Sequence, residues 1–310
     1  MAKPRAPGWR GVTEFSWLAS YPKSGSTWFR MLVANLAAGD EPADINAASG
    51  RSGIASARGE FQFHTFIDSG LLTHDEAEAL RPRVYEAMRA TAGEDDDDPL
   101  PWLIKVHDAY LPTPLGEPLL AGLRGARRAI LIVRDPRAVA PSLANHRGTT
   151  IDEAIAFLND PAARFAGGSR GQNLQLRQRL LNWSGHTASW LDQGDLPVRL
   201  VRYEDLAAAP VETFAAALAF VGYVPSRADV SKAVQFASFE RLRDQEQTHG
   251  FTEWRNRAGG GLFFRKGESH GWRRELTPEQ VRRIEAAHAP MMARLGYPIG
   301  AEVAAATGET

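Results

Sequence analysis

Lys23, His107, Arg134 and Tyr203 stand far apart in the chain, yet each comes just after a short apolar run. Their types suit work on an anion. A lysine and an arginine hold and polarise negative oxygens, an imidazole moves a proton near neutral pH, and a phenol ring packs on a base. Around the first of them, Ser20-Tyr21-Pro22-Lys23-Ser24-Gly25-Ser26-Thr27-Trp28 has the makings of a phosphate cradle. Gly25 lets the backbone approach closely, Ser26 and Thr27 offer hydroxyls, and the N-terminus of a following helix offers free N–H groups. The nucleotide P-loop needs a different order, G-x-x-x-x-G-K-[ST], with a hydroxyl for magnesium. Here Lys23 precedes Gly25 by two positions and Trp28 follows the hydroxyls. No apolar run ends in the aspartate that would complete a magnesium site. A kinase or NTPase reading therefore lacks both halves of its metal site.

The elements that must position these residues follow from hydrophobic patterning. Phe15–Ala19, Trp102–Val106, Ala129–Val133 and Val198–Val201 are apolar, β-rich and short, as buried parallel strands are. Phe29, Leu32, Val33 and Leu36 form a helical stripe after the first, with Gly39 to end it. Val211, Phe214, Leu218 and Val221 form another, with Pro210 in its first turn. Leu174 to Leu191 reads as a longer helix, and Val281, Ile284, Met291 and Leu295 mark a C-terminal one. Strands alternating with helices predict a single α/β domain over residues 1–310, with a mostly parallel central sheet flanked by helices. In such sheets ligands bind at the carboxyl ends of the strands. That edge is where the four runs deliver a lysine, a histidine, an arginine and a tyrosine. Glu94–Asp98 reads as a solvated loop before the second strand.

Composition narrows the classes. The 310 residues are 44% hydrophobic and 24% charged, which excludes a disordered or fibrous chain. A formal charge of −1 supplies no field to steer nucleic acid or a membrane surface, so an anionic ligand must be met by local positive groups. With no cysteine, thiolate catalysis and cysteine-ligated metals are excluded. The start of the chain has no signal-peptide pattern, and the longest apolar stretch, Phe214 to Val224, is far short of a bilayer span. The expected location is the cytoplasm. No histidine pair has a metal-ligand spacing, so no metal is expected.

Six segments in order resemble the cytosolic-type sulfotransferases, enzymes that use 3′-phosphoadenosine 5′-phosphosulfate (PAPS) and release 3′,5′-ADP (PAP). Tyr21 to Trp28 is similar to their 5′-phosphosulfate loop, and Lys105-Val106-His107 to a segment whose histidine is the catalytic base. Val133 to Ser142 resembles their 3′-phosphate segment, with Arg134 and Ser142 at the family spacing. Arg202-Tyr203-Glu204-Asp205-Leu206 and Ser238-Phe239 resemble segments around adenine. Arg265-Lys266-Gly267, followed by Trp272, resembles the C-terminal clamp on the 3′-phosphate.

The resemblance implies that Lys23, helped by Lys105, stabilises the leaving phosphate, and that Ser142 holds Lys23 aside until acceptor binds. It implies that His107 takes the proton of a hydroxyl or amine acceptor, and that Ser24 and its loop neighbours hold the phosphosulfate. It also implies a 3′-phosphate clamp of Arg134, Arg265 and Lys266, and an adenine sandwich of Trp28, Tyr203 and Phe239. A family dimer is implied only weakly, since Thr277 is followed by Pro278 and Arg282 stands where a glutamate belongs. Pro141 is expected to kink the helix carrying Ser142 or to start it late, and Ala237 replaces a hydroxyl that often binds adenosine.

The resemblance implies a small-molecule acceptor with a hydroxyl or amine, with phenols, aliphatic alcohols, sugars and a peptide tyrosine all open. Residues 40–100, 145–170 and 245–262 read as loop-rich lid and pocket segments, with Phe61, Phe63, Phe66 and Tyr110 as an apolar lining and Gly259-Gly260-Gly261 as a flap. Two other classes fit parts of the pattern. A metal-independent nucleotide-binding regulator keeps the cradle without needing His107, and a phosphoryl-transfer enzyme needs an acidic metal ligand at a strand end.

Overall fold

The structure is a computed structural model that describes residues 15–46, 53–91, 100–168, 174–254, 261–264 and 267–300. Its elements in order are β1 Ser16–Ser20, α1 Ser26–Leu36, α2 Arg58–Thr65, α3 His74–Thr91, β2 Leu103–Val106, β3 Ala129–Val133, α4 Pro136–Arg147 and α5 Ile151–Asn159. Then come β4 Arg164–Phe165, β5 Gln178–Arg179, α6 Trp183–Leu191, β6 Val198–Arg202, α7 Tyr203–Ala208, α8 Pro210–Phe220, α9 Arg227–Phe236, α10 Phe239–His249 and α11 Pro278–Arg294. The four expected strands form one parallel sheet in the order β2-β1-β3-β6, so all their carboxyl ends meet at one edge.

Both faces of the sheet are covered, which is why its strands read as continuous apolar runs. Trp17 and Ala19 of β1 and Leu131 of β3 point into a core closed by Tyr85, Trp183, Trp190, Ile284 and Met292. Leu18, Ile130 and Ile132 point the other way, against Phe29, Leu32, Phe214 and Val230 of α1, α8 and α9. Among the described residues no helix is long and apolar enough to cross a membrane.

Several sequence expectations change in the folded chain. The helix expected over Leu174 to Leu191 exists only as α6, because its first half is spent on long-range backbone pairing. Leu176 N–H donates to the Ser56 carbonyl (2.7 Å), β5 pairs with β4, and Leu180 N–H donates to Ala163 (2.9 Å). Asn182 then caps α6. Helix α1 stops at Leu36, before Gly39, where the Asn35 side chain turns back to the Met31 carbonyl. The stretch 40–100 is not loop-rich, since it holds α2 and the 18-residue α3, whose pattern is interrupted by the internal Pro82. Helix α4 does not start late at Pro141: Asp135 caps it, Pro136 opens it, and it runs through Pro141 to Arg147. Thr277-Pro278, at the degenerate dimer segment, is the start of α11, with a capping box between Thr277 and Gln280. The acidic run Glu94–Asp98 lies outside the described residues.

One buried ion pair braces the turn beyond β2. Arg81 of α3 donates two hydrogen bonds to Asp108 (3.0 and 2.7 Å), and both side chains are only 1% exposed. Asp108 also accepts from Arg179 N–H (3.0 Å), and Arg81 Nε donates to Tyr85. Removing one partner strands the other charge, which costs about 3–5 kcal/mol. Arg81→Met is expected to lower unfolding stability by about that amount in urea titration, and a loss under about 1 kcal/mol would show that the pair is not a brace.

Candidate active site

A cavity of about 1060 Å³ opens at the carboxyl edge of the sheet, and most of the predicted residues line it. Lys23 and Gly25 come from the β1–α1 connection, Ser26, Thr27 and Trp28 from the first turn of α1, Lys105 from β2 with His107 just after it, Arg134 from just after β3, and Ser142 from α4. Tyr203 starts α7, Phe239 starts α10, and Gly267 closes the far side. Ser24 lies just beneath, fully buried, with no partner for its hydroxyl. Ser238 does not line the cavity, because its side chain is the N-cap of α10. Arg265, Lys266, Gly259 and Gly260 lie outside the described residues.

The β1–α1 loop has the backbone geometry of an anion cradle. Lys23 (φ 71°) and Gly25 (φ 112°) are both left-handed, the kind of backbone that gathers N–H groups into a concavity. No side chain caps α1 and no acidic residue sits in its first turn, so its N-terminal amides remain for a ligand. Gly25 is required twice over. Besides its φ, a Cβ there would lie 2.6 Å from the Tyr203 ring. Gly267 (φ 65°) is likewise pressed by Phe239, 2.6 Å from where its Cβ would be, and its carbonyl accepts from the Tyr203 hydroxyl (3.1 Å). Trp28 tilts against Tyr203 with centroids 5.6 Å apart, and its indole N–H donates to the Ala237 carbonyl (2.9 Å). Residue 237 thus serves through its backbone.

Arg134 lies over the Tyr203 ring at 4.2 Å and donates to the Glu268 carbonyl (2.9 Å). Its Nε is buried without a partner. Lys23 Nζ sits 3.6 Å over the Phe263 ring, with Trp254 at 5.9 Å. Lys105 lies 3.8 Å from the carboxylate of Glu253, which also pairs with Arg30 at 2.6 Å. Burial works to raise the pKa of Glu253, but Lys105, Arg30 and Lys23 together outweigh it and hold the carboxyl below its usual value. Burial lowers the pKa of Lys105, and Glu253 opposes that.

His107 is held in one tautomer. Its Nδ1 lies 2.7 Å from the Ser20 carbonyl, which can only accept, so Nδ1 carries the proton and Nε2 keeps its lone pair. His186 donates to the His107 carbonyl (3.2 Å) and fixes the backbone behind it. Burial first, then Lys105, His186 and His146, push the His107 pKa well below the ordinary imidazole value. The ring is a neutral base within the physiological range. Asp108, next in the chain, is consumed by Arg81 and takes no part.

The acceptor side differs from the sequence expectation. Phe61 and Tyr110 are core residues and Phe63 and Phe66 are exposed, so none of the four lines the cavity. Outside the motif residues, the cavity lining includes Ile54, His146, Phe165, Gln175, Gln178 and Phe263. Glu253, Arg30 and His146 were missed because no motif marks them; the only signals were that Glu253 and His146 lie in segments left outside the motifs and that Arg30 stands two residues past Trp28. Among the described residues, no group of three or more His, Cys, Asp or Glu is placed to hold a metal.

Known proteins resemble this chain in sequence and in fold. The chain is 22% identical over 281 residues to cytosolic sulfotransferase 16 of Arabidopsis thaliana, covering 86% of this chain and 73% of that protein. It is 25% identical over 168 residues to cytosolic sulfotransferase 17 of the same plant, covering 51% of this chain and 47% of that one. Its fold matches the mouse sulfotransferase SULT7A1 complexed with PAP (TM-score 0.54, 17% identity, covering 92% of this chain and 86% of that chain). It also matches retinol dehydratase in complex with androsterone and the inactive cofactor PAP (TM-score 0.55, 16% identity, covering 91% and 82%). The family model described as the sulfotransferase domain matches residues 14–296, nearly the whole chain, and the protein belongs to that family.

Proposed function

We propose that the protein transfers a sulfuryl group from PAPS to a hydroxyl of a small-molecule acceptor, with His107 as general base. The observation that carries this reading is the state of His107: a neutral imidazole with its lone pair on Nε2, beside Lys105, in the cavity that also holds Lys23 and Arg134. A binding regulator has no use for such a base. Lysines and an arginine, where a phosphoryl-transfer enzyme would need acidic ligands, support a reaction without a metal.

The residues present fit PAPS and PAP. The uncapped α1, the unpartnered Ser24 hydroxyl and the unpartnered Arg134 Nε are groups that an anion would satisfy. When bound, PAPS supplies the sulfuryl group and a phosphate leaving group. In this reading Lys23 and Lys105 stabilise the charge that develops on leaving, as preorganised electrostatics requires, and Ser142 sits on α4 to restrain Lys23. Arg134 meets the 3′-phosphate with Arg265 and Lys266, while Trp28, Tyr203 and Phe239 hold adenine. The names of the curated relatives support a cytoplasmic location.

Arg134→Ala is expected to weaken PAP binding about ten- to a hundredfold, the worth of a charge-assisted hydrogen bond, and to change AMP binding little. Calorimetry in EDTA measures both, and equal losses would place Arg134 away from the 3′-phosphate. His107→Ala is expected to lose about 10²–10⁴ in turnover while nucleotide affinity stays within about threefold. A mutant retaining more than about a tenth of wild-type turnover would remove His107 from the mechanism. The depressed pKa also fixes a sign. Activity needs neutral His107, so it should fall only on acidification well below the ordinary imidazole value. The kcat/KM profile should be free of an acidic limb between about pH 6 and 8. A limb centred near 6.5 would show an ordinary, exposed imidazole instead.

A further inference from the structure

The cavity contains a second imidazole that proton transfer leaves unused. His146 lies on α4, one turn beyond Ser142, and lines the cavity with His107. Among the described residues no hydrogen bond reaches its ring, and Nδ1 is sealed from solvent without a partner. A proton on Nδ1 would be stranded there. It therefore sits on Nε2, the ring nitrogen left to the cavity. Burial, then Lys23, Lys105 and Arg147, hold the pKa of His146 down at about 4, so the ring is neutral and near both transfer lysines. The Trp254 ring, 5.9 Å away and tilted 35°, flanks it.

Two neutral imidazoles thus face one space with opposite polarity: Nε2 of His107 accepts a hydrogen bond, and Nε2–H of His146 donates one. Water can meet that donor while the cavity is open. An acceptor that displaces the water must either supply an oxygen or leave a buried N–H unpaired, and sites of this kind discriminate strongly against analogues lacking the oxygen. Gln175 and Gln178, hydrogen-bonded to each other, also line the cavity and add to its polar character.

We propose that His146 is an acceptor-specificity residue: it donates a hydrogen bond to a second oxygen of the acceptor, so preferred substrates carry a hydroxyl, ether or carbonyl oxygen besides the hydroxyl that reacts. This rests on the sulfuryl-transfer reading and names its substrate class.

The test uses phenol, catechol, resorcinol, hydroquinone and the three monomethyl ethers of those diols. Each is titrated into PAP-loaded protein by calorimetry and assayed for transfer from labelled PAPS. At least one oxygenated probe is expected to exceed phenol about tenfold or more in affinity and in kcat/KM, the worth of one hydrogen bond. Its methyl ether should keep the advantage, because Nε2–H needs only a lone pair. In His146→Phe that ratio should collapse to within about threefold of one, and His146→Gln, which keeps an N–H donor, should restore part of it. Equal use of phenol and every oxygenated probe by the wild type overturns the inference, and so does a preference that survives in His146→Phe. If that variant does not fold, the ratio in His146→Asn, with its shorter reach, takes its place under the same criterion. Histidine-dependent binding without transfer to any probe would keep the pocket and sink the transfer reading. Absence of any oxygenated preference in binding would sink the pocket, whatever the nucleotide does.

Discussion

Positive charge gathered in a cavity before any anion arrives is the constraint on which the rest of this site depends. Lys23, Arg30, Lys105 and Arg134 cannot be brought together and partly dried without something to carry their charge. Glu253 does so for Arg30 and Lys105, and the faces of Phe263 and Tyr203 do so for Lys23 and Arg134. Each of these is a contact that an entering anion can replace. The Glu253 carboxylate, which looks misplaced among so many cations, offsets the charge of two of them.

The second requirement is that the charged groups hold still. Asp135 caps α4 and grips Arg137, which in turn reaches Glu285 of α11 and lies over Trp272. Glu204 accepts from Asp135 N–H and from the Tyr297 hydroxyl. These bonds tie the end of β3 to the end of β6, so Arg134 and Tyr203 are carried by one framework. Burial raises the Glu204 pKa, and its two donors work against that rise.

The sheet and the anion-facing half of the site were legible in the sequence because each depends on local pattern. Parallel strands buried on both faces must be apolar throughout, and a phosphate-facing loop must carry glycine, hydroxyls and a lysine in close order. What escaped depends on distant partners. Leu174 to Leu181 has a helical look, but Ser56 and Ala163 claim its backbone. Phe63 and Phe66 look like pocket residues, yet they face solvent on α2 and at its C-terminal cap. His146 carries no motif at all, and only the surface of the cavity gives it meaning.

The geometry of β2 has one more consequence. Lys105 and His107 share a face because side chains alternate along a strand, and Ile104 and Val106 fill the core on the other. The lysine and the imidazole are therefore inherited as a single unit set by register. Deleting or inserting one residue ahead of Lys105 in this short strand would present an isoleucine or a valine to the cavity and turn the lysine and the imidazole into the core. Gradual divergence can reshape the rest of the cavity lining, which is drawn from several loops and helices, without disturbing this pair.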